Sequence, residues 1–311
     1  MAKRRRKRKN TKSKQLTAVL LLIITIVAII LGRNNESFEK ANITANSNVT
    51  ATTSELVKVH FIDVGQGSST LVQCGNTGIL IDAGEREYGK TVVKYLKDAG
   101  IKRLEYVVAS HPHSDHIGGL FDVLDSIYVK NIIMPKLTDI NIPTTRIYEK
   151  LLETISDKNI NAIYAKLGNR YTVGAAAIDI IGPVEQVKDL NNMSVICKVT
   201  ANKVKFLVTA DAEKQEMSSV HNATANLKSD IIVMGHHGSR TAIQKDFLKS
   251  AGARVAIVSC GKDNPYNHPH KETIEYLKNN NIEYYRTDLV GNIVFTCNDK
   301  GYAIDCSKDS D

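Results

Sequence analysis

Cysteine is thin in this chain of 311 residues and follows no motif spacing: five residues, at 74, 197, 260, 297 and 306, with no CxxC pair. In an exported protein an odd number leaves at least one thiol unpaired. Cys297 and Cys306 flank a hairpin turn, but simple hairpin registers do not set them opposite each other. All five therefore read as small, mostly buried apolar side chains. Acid is missing from the first fourteen residues, MAKRRRKRKNTKSK, which hold nine Lys or Arg. Charge of either sign is missing from Leu16 to Gly32, LTAVLLLIITIVAIILG, and no second hydrophobic run of that length follows. Nucleotide-binding signatures are missing too. DVGQGSS has glycines but no GK[ST] ending, and neither a dinucleotide fingerprint nor a serine-nucleophile motif occurs.

A basic start followed by an apolar run is the pattern of a secretory signal or a membrane anchor. Seventeen residues at ~1.5 Å rise cover roughly 26 Å, near the lower limit for crossing a bilayer. The run exceeds the usual ~7–15-residue signal core, and Arg33, Asn34, Asn35 and Glu36 offer no prompt cleavage site. We therefore expect residues 1–15 as a basic cytoplasmic tail and 16–32 as a transmembrane signal anchor. Residues 33–55, rich in Asn, Thr, Ser and Ala, read as a flexible linker. Residues 56–306 then form one globular domain. The positive flank places that domain outside the cell, tethered to the membrane, or secreted if the segment is cleaved. The tail can also touch anionic head groups. The net charge of +8 belongs to this tail: without its nine cations, 32 basic residues face 33 acidic ones, a net of −1. Composition thus gives no sign of a basic DNA-binding surface.

Within the domain, KVHFIDV, STLVQC and GILIDAG are short alternating or apolar runs, expected as antiparallel strands. GKTVVKYLKDAG has helical spacing and ends on glycine. LEYVVAS reads as a buried strand, and Asp115–Asp125 as a helix with Ser114 as its N-cap. YVKNIIMP is a further strand, followed by a helix around Thr144–Lys158. Three strands return in AIDIIGP, SVICKVT and KVKFLVTAD, before a helix from about Glu213, the strand DIIVMGHHGS and further helix–strand pairs. Strands followed by helix–strand units, given twice, predict an α/β fold of two mixed sheets packed face to face with outer helices, an αββα sandwich.

Histidine is scarce, nine in all, yet three fall within six residues of ASHPHSDHIGG at 109–119. Metal ligation needs donors that converge to within ~2.0–2.2 Å of one point from rigid flanks. His111 and His113, two apart in an extended segment, point to one side, and Pro112 stiffens the turn between them. Asp115 and His116 fall on the first turn of the next helix and face a second point nearby. Gly118 and Gly119 let that helix pack closely. One loop can thus seed two adjacent metal positions.

SHPHSDHIGG matches the HxHxDH motif of the metallo-β-lactamase superfamily. FIDVGQG, ILIDAG, FLVTADAE, VMGHHGS, NPYNHPH and YRTDLVGNI extend the likeness. In that order they resemble the free-standing hydrolase domain of ComEC-type DNA-internalisation competence proteins, over Val57 to Phe295, and more loosely secreted phosphorylcholine esterases. The resemblance implies two divalent metal ions, Zn or Mn. His111 and His113 match ligands of the first, Asp115 and His116 ligands of the second, and Asp211 the bridging carboxylate. His236 and His237 supply the last ligand; the sequence does not decide between them, and we assign His237 to the metal and His236 to substrate. Asn264 and His268 are expected against substrate, with His268 also able to protonate a leaving group. Asp115 and His268 are the expected catalytic residues. Asp288 is a candidate carboxylate for orienting a ligand histidine, and Asp63 and Asp82 are open between structural and supporting roles. Two departures stand out. LNNMSVICK, with Asn191, Asn192 and Ser194, lacks the histidine that the superfamily usually places there. Ser68 stands in GQGSS where an acid is common.

The resemblance implies hydrolysis of a phosphodiester by metal-activated hydroxide, with DNA as the first substrate class and no protein partner inferable. A phosphorylcholine or teichoic-acid esterase of the cell envelope suits the outward tether equally. A catalytically silent scaffold is the third reading, motivated by the two departures. β-Lactam hydrolysis is disfavoured, because the flanking phrases point elsewhere.

Overall fold

The computed structural model describes residues 56–308. The expected tail, anchor and linker lie outside the described residues. Among the described residues no helix is long and apolar enough to cross a membrane.

The chain opens with a meander: β1 (Val57–Phe61), β2 (Thr70–Cys74) and β3 (Thr77–Ile81) pair antiparallel. Helix α1 (Gly89–Asp98) carries it over to β4 (Arg103–Val108), parallel to β3. Short helices α2 (Ser114–Ile117) and α3 (Leu120–Ser126) lead to β5 (Tyr128–Met134), and α4 (Arg146–Asp157) to β6 (Asn161–Tyr164). A second sheet repeats the scheme. Its β7 (Arg170–Val173), β8 (Ala176–Ile180), β9 (Cys197–Ala201) and β10 (Val204–Val208) run antiparallel in turn. Helices α5 (Lys214–Ala223), α6 (Lys245–Ala251) and α7 (Lys271–Asn279) then alternate with parallel strands β11 (Ile231–Val233), β12 (Val255–Val258) and β13 (Glu283–Arg286). After α8 (Thr287–Val290), strands β14 (Ile293–Cys297) and β15 (Tyr302–Cys306) return to the first sheet beside β1. The result is one mixed sheet of eight strands and one of seven.

Strand alternation sorts the side chains into three apolar layers. Val59, Phe61, Ile79, Val199, Phe206 and Phe295 fill the space between the sheets. Leu80, Leu104 and Ile132 face outward onto Val92, Leu96, Leu124 and Leu151 of the first helical layer. Leu207 and Ile232 meet Met217, Val220, Phe247 and Leu277 of the second. Three layers of core between two sheets and two helical shells make the αββα sandwich that the element order predicts.

Local differences have local causes. The single helix expected over Asp115–Asp125 is divided into α2 and α3, and its N-cap is His113 rather than Ser114. Glycine at the break is required by close approach, since a Cβ on Gly118 would lie 2.4 Å from the Arg86 nitrogen and one on Gly119 2.1 Å from the Ala83 oxygen. Strands β6 and β7 leave no clear signal in the sequence because both are short, at sheet edges and half polar. The cysteines behave as expected: none of the five forms a disulfide, and only Cys306 is exposed. Cys297 pairs with Tyr302 across the hairpin, and Cys306 with Ile293.

The segment without histidine has a structural task. The Asn192 side-chain Oδ1 accepts the backbone N–H groups of Glu213 and Glu216, both at 3.1 Å, and so covers the N-terminus of α5. Glu216 in turn accepts the Val184 N–H at 2.8 Å. Burial pushes the Glu216 carboxyl up to about 8, against the opposing pull of that hydrogen bond. The native state therefore keeps a proton that the unfolded chain releases near 4.5. Stability is fully present below that value and is lost as pH rises through about 8. Glu216→Gln is expected to flatten this loss, so that urea midpoints measured at pH 5 and pH 9 differ less in the variant than in the wild type.

Candidate metal centre

The candidate residues sit at the carboxyl ends of parallel strands, where α/β sheets place their sites. Asp82 follows β3, the His111–His116 loop follows β4, Asp211 follows β10, and His236 and His237 follow β11. The two sheets therefore contribute one group each. Three of these turns are tightly wound: Asp82, Ala210 and the adjacent His236 and His237 hold left-handed backbone at φ 59, 46, 49 and 54°. Non-glycine residues adopt that region at a cost of about 1–3 kcal/mol, sustained where packing leaves no alternative.

Asp115, His116, Asp211 and His237 converge so that one donor atom from each lies within 4.8 Å of all the others. Asp211 is the hub. Its Oδ1 lies 3.0 Å from His116 Nε2, and its Oδ2 lies 3.5 Å from His237 Nε2 and 3.8 Å from both His111 Nε2 and His236 Nε2. His113 joins through His111, with 3.0 Å between His113 Nδ1 and His111 Nε2. The sequence-derived second set is thus compact, while His111 and His113 form a looser pair beside it.

Each inner histidine is oriented from behind. His116 Nδ1–H donates to Asp82 Oδ2 at 2.7 Å, and Asp82 also accepts the Ser110 N–H at 2.8 Å and the Ser110 hydroxyl at 2.6 Å. With its proton on Asp82, the Ser110 oxygen is free to accept His111 Nδ1–H at 3.1 Å. His237 Nδ1–H donates to the Ser259 carbonyl at 2.9 Å. In all three rings Nδ1 is engaged by protein and Nε2 is turned toward Asp211. That is the tautomer a metal-binding imidazole needs.

The electrostatics agree. Burial disfavours charge on Asp211, but His116 and His237 outweigh it and hold the carboxyl well below its usual range. Asp115 is likewise lowered against its burial, chiefly by His116 and the His237 hydrogen bond. Burial opposes charge on His116 and His237, yet the carboxylates raise His116 well above the usual imidazole value and His237 to about 9. His111, buried and beside His116, is pushed well down and stays neutral. The carboxylates demand positive charge at their centre. His116 Nε2 and Asp211 Oδ1 face each other there at 3.0 Å, buried and without hydrogen-bond geometry to any partner. Two imidazole nitrogens and two carboxylate oxygens around such a point fit a divalent ion, and the donor set suits Zn²⁺ or Mn²⁺.

The structure separates the His236/His237 pair. His237 is buried within the cluster, whereas His236 lies at its rim with its side chain 25% exposed and Nδ1 donating to Glu213 at 3.0 Å. His268 lies beside both, with ring centroids 5.3 Å from His236 and 6.1 Å from His237. Burial, then His237 and His236, push its pKa down to about 4. An imidazole held neutral at this rim can donate a hydrogen bond.

Two expectations are corrected. Asn264 is saturated by its own loop: its amide donates to the Gly261 and His268 carbonyls at 2.8 and 2.6 Å, and its oxygen accepts the Tyr266 and His268 N–H groups. It therefore shapes the turn that presents His268 instead of contacting substrate. Asp288 pairs with Arg286 at 2.6 Å and Cys260 at 3.2 Å and orients no histidine. Of the two open aspartates, Asp82 supports His116, while Asp63 accepts the Gly65 N–H and lies 3.5 Å from Lys308. Ser194 supports the hub by accepting the Asp211 N–H at 3.2 Å. Sequence reasoning missed Ser110, Glu213 and Gln66, whose Nε2 lies 3.5 Å from His268 Nδ1. For the first two a cue existed, since they directly precede His111 and follow Asp211 by two residues.

Comparison with known proteins gives the same answer. ComE operon protein 3 of Bacillus subtilis (strain 168) is 28% identical over 257 residues, covering 76% of this chain and 33% of that protein. Competence protein ComA of Neisseria gonorrhoeae is 32% identical over 236 residues, covering 75% of this chain and 31% of that one. The chain thus spans about a third of the length of the curated relatives it matches. Among solved structures, the metallo-beta-lactamase fold protein YhfI from Bacillus subtilis aligns with a TM-score of 0.51 at 13% identity, over 78% of this chain and 100% of that chain, a likeness of fold alone. The profile of the metallo-beta-lactamase superfamily matches residues 62–262. By that match, and by its likeness to the competence proteins, the chain belongs to the metallo-beta-lactamase superfamily in its ComEC-like branch.

Proposed function

We propose that this protein is a metal-dependent phosphodiesterase acting on DNA. The observation that carries the reading is the convergence of Asp115, His116, Asp211 and His237 on one buried point, with each imidazole Nε2 turned inward. In our assignment these four would hold one divalent ion, and His111, His113 and Asp211 would hold a second. The chemistry such ions supply is the generation of a nucleophile from water near neutral pH and neutralisation of charge on phosphoryl oxygens. The chain's own groups do the rest. Asp82, Ser110 and the Ser259 carbonyl fix the rings; Asp115, with its side chain 24% exposed, faces the open side of the cluster. His236 and neutral His268 line the rim, where an N–H can donate to a substrate oxygen. Resemblance to DNA-internalisation competence proteins supports a DNA substrate. We place the domain outside the cell, held by the apolar segment 16–32.

Three measurements bear on this. The full-length chain, stripped by a chelator and reloaded with Mn²⁺ or Zn²⁺, is expected to cleave single-stranded DNA and bis-p-nitrophenyl phosphate. His113→Ala and Asp211→Ala should each lose more than the roughly 10–100-fold typical of an outer supporting group. Turnover of a phosphorylcholine ester with none of DNA would move the assignment to the cell envelope, and no turnover of any substrate would leave a silent scaffold. Asp82→Asn, which weakens the acceptor shared by His116 and Ser110, is expected to reduce metal affinity by about 10–100-fold in calorimetric titration. Reporter fusions on either side of 16–32 should read cytoplasmic before the segment and external after it; a cytoplasmic reading after Gly32 overturns the topology.

A further inference from the structure

Beside the cluster, one side chain has no part in the chemistry above. Tyr266 is 60% exposed, yet its ring lies 5.7 Å from that of His268 at an interplanar angle of 24°, a stacked pair. His268 is itself buried against His236 and His237. The turn that carries Tyr266 is tied together by hydrogen bonds. Asn264 accepts the Tyr266 N–H at 3.2 Å and the His268 N–H at 3.0 Å, and the Asn267 N–H returns to the Asn264 carbonyl at 3.2 Å. An exposed aromatic with one face stacked on a site histidine leaves its other face open to solvent at the rim of the cluster. Single exposed apolar side chains are common and need no explanation. A ring stacked on a residue at the rim of the cluster is a different matter.

We propose that Tyr266 is a stacking platform for a nucleobase next to the phosphodiester being cleaved, completing a base–Tyr266–His268 stack. This rests on the phosphodiesterase reading and names the part of the substrate that the rim selects. Every base has a π face, so stacking gives affinity for unpaired strands without sequence preference. The charges on the other side of the loop favour the same path. A cleft of about 500 Å³ there is lined by Asp63, Glu85, Glu87 and Asp263, offset only by Lys262 and Lys308. A polyanionic strand is repelled from that side and runs past Tyr266.

The test compares bases with none. Full-length protein loaded with Mn²⁺ is titrated by fluorescence anisotropy with a labelled single-stranded oligothymidylate and with an abasic oligomer of the same length and charge. Cleavage is followed in parallel. Wild type is expected to prefer the oligothymidylate by about tenfold, the effect of stacking one base on an aromatic side chain. Tyr266→Phe should retain the preference, and Tyr266→Ala should lose it. Equal binding of both oligomers by wild type, or a preference that survives in Tyr266→Ala, overturns the proposal. So does a Tyr266→Ala effect confined to a phosphorylcholine ester, which would assign the ring to a quaternary ammonium. Base-dependent binding without cleavage retains the platform and overturns the nuclease reading, so the two fail separately.

Discussion

A carboxylate taken out of water costs several kcal/mol unless positive charge and hydrogen bonds compensate it. Asp211, 2% exposed, is such a group, and the site is arranged around meeting its demand. Imidazoles from both sheets turn toward it, each with its other nitrogen held by a carboxylate, a hydroxyl or a backbone carbonyl. Asp115 adds a second negative group at the same point instead of relieving the first. Histidines alone compensate poorly, because burial and mutual repulsion work against charging all of them. His111 shows the limit, staying neutral beside His116. The arrangement is coherent once a divalent cation is its intended occupant.

The same demand explains the shape of the backbone nearby. Donors that must meet at one point from two sheets are carried on the turns that leave parallel strands. Those turns bend sharply enough to force Asp82, Ala210, His236 and His237 into left-handed conformations. The regular elements below, with the apolar layer between the sheets, over-determine the loops and sustain that strain. Precision at the site is thus a property of the core beneath it.

Much of this was legible in the sequence, and the parts that were not have physical reasons. Long periodic segments such as GKTVVKYLKDAG and the apolar runs FLVTAD and DIIVMG gave their elements away, because burial on one or both faces leaves a pattern in the chain. Edge strands β6 and β7 bury too little to leave one. ASHPHSDHIGG announced its metal chemistry because its donors are close in sequence. The distant donors Asp211 and His237 were reached only through resemblance, and the choice between His236 and His237 rests on which ring the Ser259 carbonyl captures. Asn264 misled for the opposite reason. A polar side chain in a loop beside a site looks available, and only its four hydrogen bonds reveal that it is occupied.

The division of the cluster between the two sheets has a mechanical consequence. Neither half of the sandwich carries a complete set of donors, so the distances among them are set by how Phe61, Phe206 and Phe295 interlock in the middle layer. The site acts as a gauge of that fit. A shift of one sheet against the other, too small to unfold anything, would separate His116 from Asp211 and disable the centre while the molecule still looked intact.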